Sequence, residues 1–398
     1  MHFVPIVIQV KFIAKTFAGL EPMLSQELRQ AGASDVQELT RAVSFCGDTA
    51  LLYKVNYTCR LVLRVLLVVK EFSFKTNEDF YKSVFNIDLT DYLDKDAAFC
   101  VHSVVTESIF YNSQYTNLLT KDAICDRYRD MYDCRPSIDK QNPDVAVEVH
   151  VYRDTATISL DSSVMSLHRR EYKTSKHQAA LNEVMAAGII ALSGWNADCD
   201  LIDFMCGSGT ILIEAAMKAL NMPAGYYRTS GYGFMTWKNF DENLWNHIRT
   251  QADNAMNEST DIRIYGSDIN YKYIRNTKEN IEQLRLDDII ILAVDDFADT
   301  APARTPAYVI INPPYGERLQ IEKIENFYQS IGNILKKKYI NCIAGILTSN
   351  KQAMKSFGLK CSQKYNVYNA ELESIFYVYQ MYSGSKKQKS EDKIEPSN

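Results

Sequence analysis

Asn312, Pro313, Pro314 and Tyr315 follow directly on an apolar run, AYVII, inside the stretch INPPYGERLQ. Each proline fixes φ and removes a backbone N–H, and Pro313 biases Asn312 towards an extended backbone. Two acceptors therefore stand without a competing donor: the Asn312 side-chain oxygen and the Pro313 carbonyl. Such a pair suits the two hydrogens of an amine, and Tyr315 adds a flat aromatic face beside them. A strand-ending turn that merely caps a sheet gives the same four residues a purely structural role, and the motif alone leaves both readings open.

A second group lies upstream. DLIDFMCGSGTILIEAA reads as strand, G-x-G loop and helix. Gly207 and Gly209 permit a tight turn and close approach of a ligand to the backbone, and the following helix opens with free N–H groups. Leu212 stands where the dinucleotide fingerprint requires a third glycine, so the loop points away from NAD. Asp203 ends the first strand, Asp268 ends RIYGSD and Asp296 follows IIILAVD. In a doubly wound sheet the carboxyl ends of successive strands meet at one crevice. Three carboxylates there suit a cationic amine and ribose hydroxyls and would repel a phosphate. The plainer reading of any one of them is a turn former or helix N-cap.

These residues need a scaffold, and the pattern supplies one. From about Asn182 to Ser383, buried strands alternate with helices, which calls for a parallel sheet covered on both faces. Asp268 lies well beyond the ~20 residues expected after a glycine loop. The intervening NMPAGYYRTSGYGFMTWKNFDENLW is thus an insertion or an extended helix, expected at a pocket rim. Upstream, KFIAKTF, LEPMLSQELRQAG and AVSFCG read as strand, helix and strand, with Gly32 as the helix stop. LYKVNYTCRLVLRVLLVVKEF then gives a helix running into a strand. In a second region the alternation of VAVEVHVYRDTATISLD predicts two antiparallel strands joined at Arg153 and Asp154, beside the helical NLLTKDAICDRYRDMY.

With 398 residues, 46% of them hydrophobic, the chain is long enough for two or three domains and too long for one small module. Its nine cysteines form no C-x-x-C pair and no Cys/His cluster, so neither a zinc site nor a disulfide framework is expected and reduced cytosolic thiols are the default. MHFVPIVIQVKFIAK reads as a strand, lacking the basic n-region of a signal peptide, and no apolar run approaches a membrane span. The net charge of −5 sends any search for nucleic-acid contacts to local patches.

The loop, the acids and NPPY, in this order, resemble S-adenosylmethionine-dependent amino-methyltransferases. The chain is similar to one branch over nearly its whole length: bacterial THUMP-containing large-subunit rRNA guanine-N2 methyltransferases of the L type, often labelled N6-adenine-specific DNA methylases. FAGLEPMLSQEL, LLTKDAICDRYRD, RPSID, LHRREYK, DFMCGSGTILIEAAM, GFMTW, SDIN and NPPYGERL carry the likeness. The resemblance implies an α/β chain with a ferredoxin-like segment (residues 1–70), a THUMP domain that grips RNA (71–165), a linker (166–181) and a Rossmann-like methyltransferase domain (182–383); the polar composition of residues 384–398 predicts a disordered tail. It implies that Asp203, Cys206, Gly207, Gly209 and Thr210 form the methionine-side loop, that Asp268 takes the ribose hydroxyls and Asp296 the adenine amine, and that Asn312 to Tyr315 hold a flipped target base, with no metal. Three departures stand out: Phe204 replaces a common proline, Glu171 a common glycine in LHRRGYR, and HQAAL, His177 to Leu181, lacks a proline often found there.

Lys121, Arg127, Arg129 and Arg135 form one basic cluster, and Arg169, Arg170 and Lys173, with His168 and Lys176, another; both are candidates for phosphate contacts. Asp126 and Arg129 also have the i,i+3 spacing of a solvent-facing pair, and Arg169 and Arg170 are placed to join two domains. The expected activity is methylation of guanine N2 in large-subunit rRNA, as naked RNA or an assembling particle, in the cytoplasm. Adenine-N6 methylation of DNA is the enzymatic alternative, and an RNA-binding assembly protein with a vestigial pocket is the non-enzymatic one.

Overall fold

The computed structural model describes residues 9–173, 181–314, 321–369 and 372–383. Its first stretch runs β1 (Val10–Lys15), α1 (Glu21–Ala31), β2 (Ser34–Leu39), β3 (Ala42–Gly47), α2 (Thr49–Thr58), β4 (Arg64–Ser73), α3 (Asn77–Phe85), β5 (Ala98–Thr106), α4 (Ser113–Tyr132), β6 (Ser137–Ile138), β7 (Val145–Tyr152) and β8 (Thr155–Asp161). The eight strands form one sheet in the order β2-β3-β1-β4-β8-β7-β5-β6. The two regions that separate by pattern are thus continuous through the antiparallel pair β4 and β8, where Leu67 lies opposite Leu160.

Local signals set several of these boundaries. Gly32 ends α1 at φ 109°, a left-handed value that glycine adopts without steric cost. Thr76 and Asp79 form a reciprocal capping box at the start of α3. Arg153 and Asp154 make the two-residue turn between β7 and β8, with Arg153 at φ 56°. β2 gives no such signal, because SDVQEL is polar and largely exposed on both faces.

The chain continues as α5 (Glu183–Ser193), β9 (Asp200–Asp203), α6 (Thr210–Ala219), α7 (Glu242–Asn254), β10 (Ile264–Ser267), α8 (Tyr271–Gln283), β11 (Ile290–Ala293), β12 (Ala307–Ile311), α9 (Ile321–Lys338), β13 (Ile343–Thr348), β14 (Gln363–Asn369) and β15 (Leu372–Gln380). The second sheet has the order β11-β10-β9-β12-β13-β15-β14. Its first five strands are parallel, as the alternating pattern predicts. The sheet as a whole is mixed, because β15 runs antiparallel to β13 and forms a closing hairpin with β14. Successive strands spread to one side from β9 to β11 and then resume on its other side at β12, so the order reverses between β9 and β12. That reversal opens a crevice at the strands' carboxyl ends.

Two compact units result, Met1–Glu171 with Pro223–Met256, and Tyr172–Met222 with Asn257–Asn398. The insertion after α6 therefore belongs to the first unit, although its flanks belong to the second. Aromatic packing explains its attachment. Phe234 stacks on Tyr53 at 4.3 Å between centroids, Trp245 meets Tyr57 edge-on at 5.5 Å, and the Tyr57 hydroxyl donates to Asp253 at 2.6 Å.

Glu171 occupies a left-handed position at φ 66°. That conformation accounts physically for glycine in the related motif, since an L side chain there costs roughly 1–2 kcal/mol. Its carboxylate compensates by accepting from Thr229 N–H and Oγ1, both at 2.8 Å, and from Ser230 N–H at 3.2 Å. Burial alone would raise its pKa, but these hydrogen bonds outweigh it and hold the group below the ordinary glutamate value.

Candidate functional site

The second unit brings the glycine loop, Asp268 and Asn312 to the ends of neighbouring strands. Asp203 closes β9, and the loop turns back on itself through Gly209 N–H to the Cys206 carbonyl at 2.8 Å. Cys206 N–H donates to the Ser267 carbonyl at 3.0 Å, which ties the loop to the end of β10. Gly207 and Gly209 have φ values of 51° and 74°. Around Gly207 a Cβ would meet no heavy atom within 4 Å, so the protein leaves room against this stretch of backbone. Thr210 begins α6, whose N-terminus has no side-chain cap, so the amides of its first turn keep their capacity to bind a ligand.

Leu212 shows how the loop works without a third glycine. In the dinucleotide fingerprint that glycine permits close helix–strand packing. Here Leu212 is fully buried and the strand carries the glycine instead: a Cβ on Gly266 would lie 2.3 Å from Leu212 Cδ1.

Asp268 is more than a strand end. Its Oδ2 accepts Gly207 N–H at 3.1 Å and its Oδ1 accepts Asn270 N–H at 2.9 Å, so one carboxylate joins the loop to the start of α8. Each oxygen keeps lone-pair capacity for a further donor. Ile269 between them is 72% exposed, an apolar surface beside the carboxylate that the sequence reading did not single out. Asp203 is 1% exposed and accepts only Met205 N–H, at 3.1 Å, among the bonds described. Burial, with the nearby Asp268 charge, pushes its carboxyl up to about 8. Burial also drives the Cys206 thiol well above its ordinary range, followed by the charges of Asp203 and Asp268, so Cys206 is a neutral packing group and not a nucleophile. Asp296 is exposed and lies beyond the end of β11; its Oδ1 accepts Ala298 N–H at 2.9 Å, the bond of a turn former.

Asn312 is half-buried immediately after β12, Pro313 is buried and Pro314 exposed, while Tyr315 lies outside the described residues. One apolar cluster anchors both turns. It includes Phe204, directly after Asp203, and Ile311, directly before Asn312. Phe204 lies 6.0 Å from Phe297 and 5.8 Å from Tyr339 between ring centroids, so the residue that departs from proline fills the core beneath the loop. Burying such a side chain contributes about 1.5–3 kcal/mol.

The basic candidates have other partners. Lys121 pairs with Asp122 at 2.6 Å, Arg129 with Asp126 at 3.2 Å and Arg127 with Asp130 at 3.9 Å, while Arg135 reaches Asp122 and Asp126 at 3.9 and 3.8 Å. The i,i+3 pair expected for Asp126 and Arg129 is therefore formed. Such half-exposed pairs are worth about 0–1 kcal/mol. Arg170 is 2% exposed and donates to the Leu167 and Arg60 carbonyls, both at 2.6 Å, which makes it an internal clamp of the first unit that a phosphate does not reach. Arg169 is exposed; Lys173 pairs with Glu183 at 2.8 Å in the second unit. Lys176 lies outside the described residues. All nine cysteines are unpaired, no group of His, Cys, Asp and Glu among the described residues could hold a metal, and no described helix is long and apolar enough to cross a membrane.

A seven-stranded sheet of this order, with a glycine loop after β9 at its reversal point and an acid after the neighbouring β10, defines an S-adenosylmethionine-dependent methyltransferase domain. The residues fit that donor: open space over Gly207 for backbone approach, and two neighbouring carboxyls for a cationic ligand. The chain belongs to the RMKL-like methyltransferase family, whose domain matches residues 170–376, preceded by a THUMP domain at residues 74–161 and an RlmL ferredoxin-like domain at residues 11–66. It is 33% identical over 372 residues to a protein of Synechocystis sp. named "Putative RNA methyltransferase", covering 93% of this chain and 97% of that one. It is 32% identical over 381 residues to the ribosomal RNA large subunit methyltransferase K/L of Shewanella baltica, covering 94% of this chain but 54% of the relative, so it spans about half the length of the K/L proteins. A solved "putative methyltransferase" in complex with SAH superposes with a TM-score of 0.86 at 28% identity, covering 95% of this chain and 99% of that one.

Proposed function

We propose that the chain methylates the exocyclic N2 amine of a guanine in large-subunit rRNA, with the base removed from its stack and held at Asn312 to Tyr315. The observation that carries this reading is the placement of a glycine loop, clamped by Asp268, and of Asn312-Pro313-Pro314 after the adjacent strands β9 and β12, on either side of the strand reversal. Asp203, Cys206, Gly207, Gly209 and Thr210 hold the methionine end of the donor, Asp268 its ribose and Asp296 its adenine. Bound S-adenosylmethionine supplies an electrophilic methyl group on a sulfonium.

The rest falls to the chain. An exocyclic amine is a weak nucleophile because its lone pair is delocalised into the ring. The Asn312 side-chain oxygen and the Pro313 carbonyl accept its two hydrogens, which aligns the nitrogen and favours its pyramidal form. Transfer of that methyl would leave S-adenosylhomocysteine, and the proton would pass to solvent after the nitrogen has become cationic, so no strong general base is needed from the chain. Tyr315 offers a face for the flipped base. RNA is gripped by residues 71–165 and by Lys121, Arg127, Arg129, Arg135, Arg169 and Lys173. The same reading keeps the divisions at residues 70, 165, 181 and 383, and places the reaction in the cytoplasm, consistent with unpaired cysteines.

Mapping of modified nucleosides in rRNA and DNA from a strain lacking the gene tests this. N2-methylguanosine should disappear from one position in the large-subunit rRNA and return with the native chain. Loss of N6-methyladenine from DNA instead would establish the DNA reading, and no change in either would leave only a binding protein.

Asp203 adds a pH dependence. With its carboxyl at about 8 in the ligand-free chain, it is mostly protonated at pH 7. A cationic donor favours the carboxylate, so binding lowers that pKa and releases a proton. Affinity for S-adenosylmethionine should therefore rise with pH and level off above the ligand-free value. Calorimetry at pH 7 in buffers of different ionisation enthalpy should register the released proton, and Asp203→Asn should lose both the release and the slope. A binding enthalpy independent of the buffer would refute the linkage.

A further inference from the structure

We propose that Thr277, on α8, is a positioning residue for the methyl donor, acting through the glycine loop. The inference rests on the reading that this loop holds the cofactor. Thr277 is fully buried in the middle of α8. A helical threonine commonly returns its hydroxyl to the carbonyl one turn back. Thr277 instead donates to the Gly207 carbonyl, at 2.9 Å and 70 residues away.

Gly207 is thereby held at both polar atoms from one neighbouring segment, its N–H by Asp268 at 3.1 Å and its carbonyl by Thr277. The methyl branch of the same side chain addresses the second glycine: a Cβ on Gly209 would lie 2.4 Å from Thr277 Cγ2. A β-branched side chain is stiff about χ1, so one rotamer serves both contacts. Two left-handed glycines two residues apart otherwise give this loop the freedom to rotate the peptide between Gly207 and Ser208. In a planar trans peptide the carbonyl and the following N–H point in opposite directions. Fixing the Gly207 carbonyl against Thr277 therefore fixes the Ser208 N–H on the other side of that peptide.

Thr277→Val keeps the shape and removes the donor, leaving a part-buried carbonyl without its bond. The dissociation constant for S-adenosylhomocysteine, measured by calorimetry, should rise by about tenfold, the consequence of losing one part-buried hydrogen bond at the loop. KM for S-adenosylmethionine should rise in parallel, while kcat at saturating donor and KM for RNA stay within about twofold, since the target-base residues are untouched. Thr277→Ser keeps the hydroxyl and should restore most of the affinity. Wild-type affinity in Thr277→Val, even with a lowered Tm, would overturn the inference, as would a Thr277→Ser protein as weak as Thr277→Val. If the native chain binds no S-adenosylhomocysteine, the cofactor reading of the loop fails and this inference with it.

Discussion

Asn312→Ala is expected to lower kcat by roughly 10²–10⁴-fold while leaving the affinity for S-adenosylmethionine within about twofold of wild type, the cost of losing a positioned acceptor at the reacting nitrogen. The turn should survive the substitution. Pro313 restricts the preceding residue to extended conformations whatever its side chain, and Ile311 anchors the strand end in the apolar cluster shared with Phe204. The loss would therefore belong to chemistry and not to folding. Asn312→Asp retains side-chain acceptors but adds a negative charge near the amine, so an intermediate rate is expected. Single-turnover methylation of rRNA with saturating donor separates the three proteins, and an unimpaired Asn312→Ala enzyme would return NPP to the role of a strand-ending turn.

The sequence exposed the polar punctuation of this site more readily than its supports. Asp203, the glycines and Asn312 are visible because glycine, proline and strand-ending acids break an otherwise apolar pattern. Thr277 breaks nothing: on α8 it is one polar residue in an amphipathic helix, and its bond to Gly207 depends on how β10 and β9 pair. Glu171 is of the same kind, since its left-handed φ is invisible until the chain is folded. The first sheet was hard to read for a different reason. Continuity through β4 and β8 rests on pairing between strands nearly a hundred residues apart, and β2 has no buried face to give it a period. The insertion after α6 was legible as an interruption of the βα rhythm, but its membership of the first unit depends on aromatic contacts with α2 that no local pattern encodes. Among the basic residues, composition could not distinguish Arg170, consumed by backbone carbonyls, from Arg169, which is exposed.

Asp268→Ala should weaken S-adenosylmethionine binding by roughly a hundredfold to several thousandfold, because it removes a charged acceptor for ribose hydroxyls and also the anchor of Gly207 N–H; hydrogen bonds to charged groups contribute about 1.5–3 kcal/mol each. The more discriminating substitution is Asp268→Asn. Asparagine is as good as aspartate at capping a turn, so if Asp268 served only Asn270, the variant would bind like wild type. In the structure two N–H groups converge on its two oxygens, from Gly207 on Oδ2 and from Asn270 on Oδ1. An asparagine can present its oxygen to one of them and must turn its own NH₂ towards the other. Donor would then face donor at the loop, and the neutral amide would offer the ribose a weaker acceptor. Asp268→Asn is therefore expected to lie within a few-fold of Asp268→Ala by calorimetry. Near-native affinity in Asp268→Asn would mean that Asp268 is a turn former and that the donor's hydroxyls are held elsewhere in the crevice.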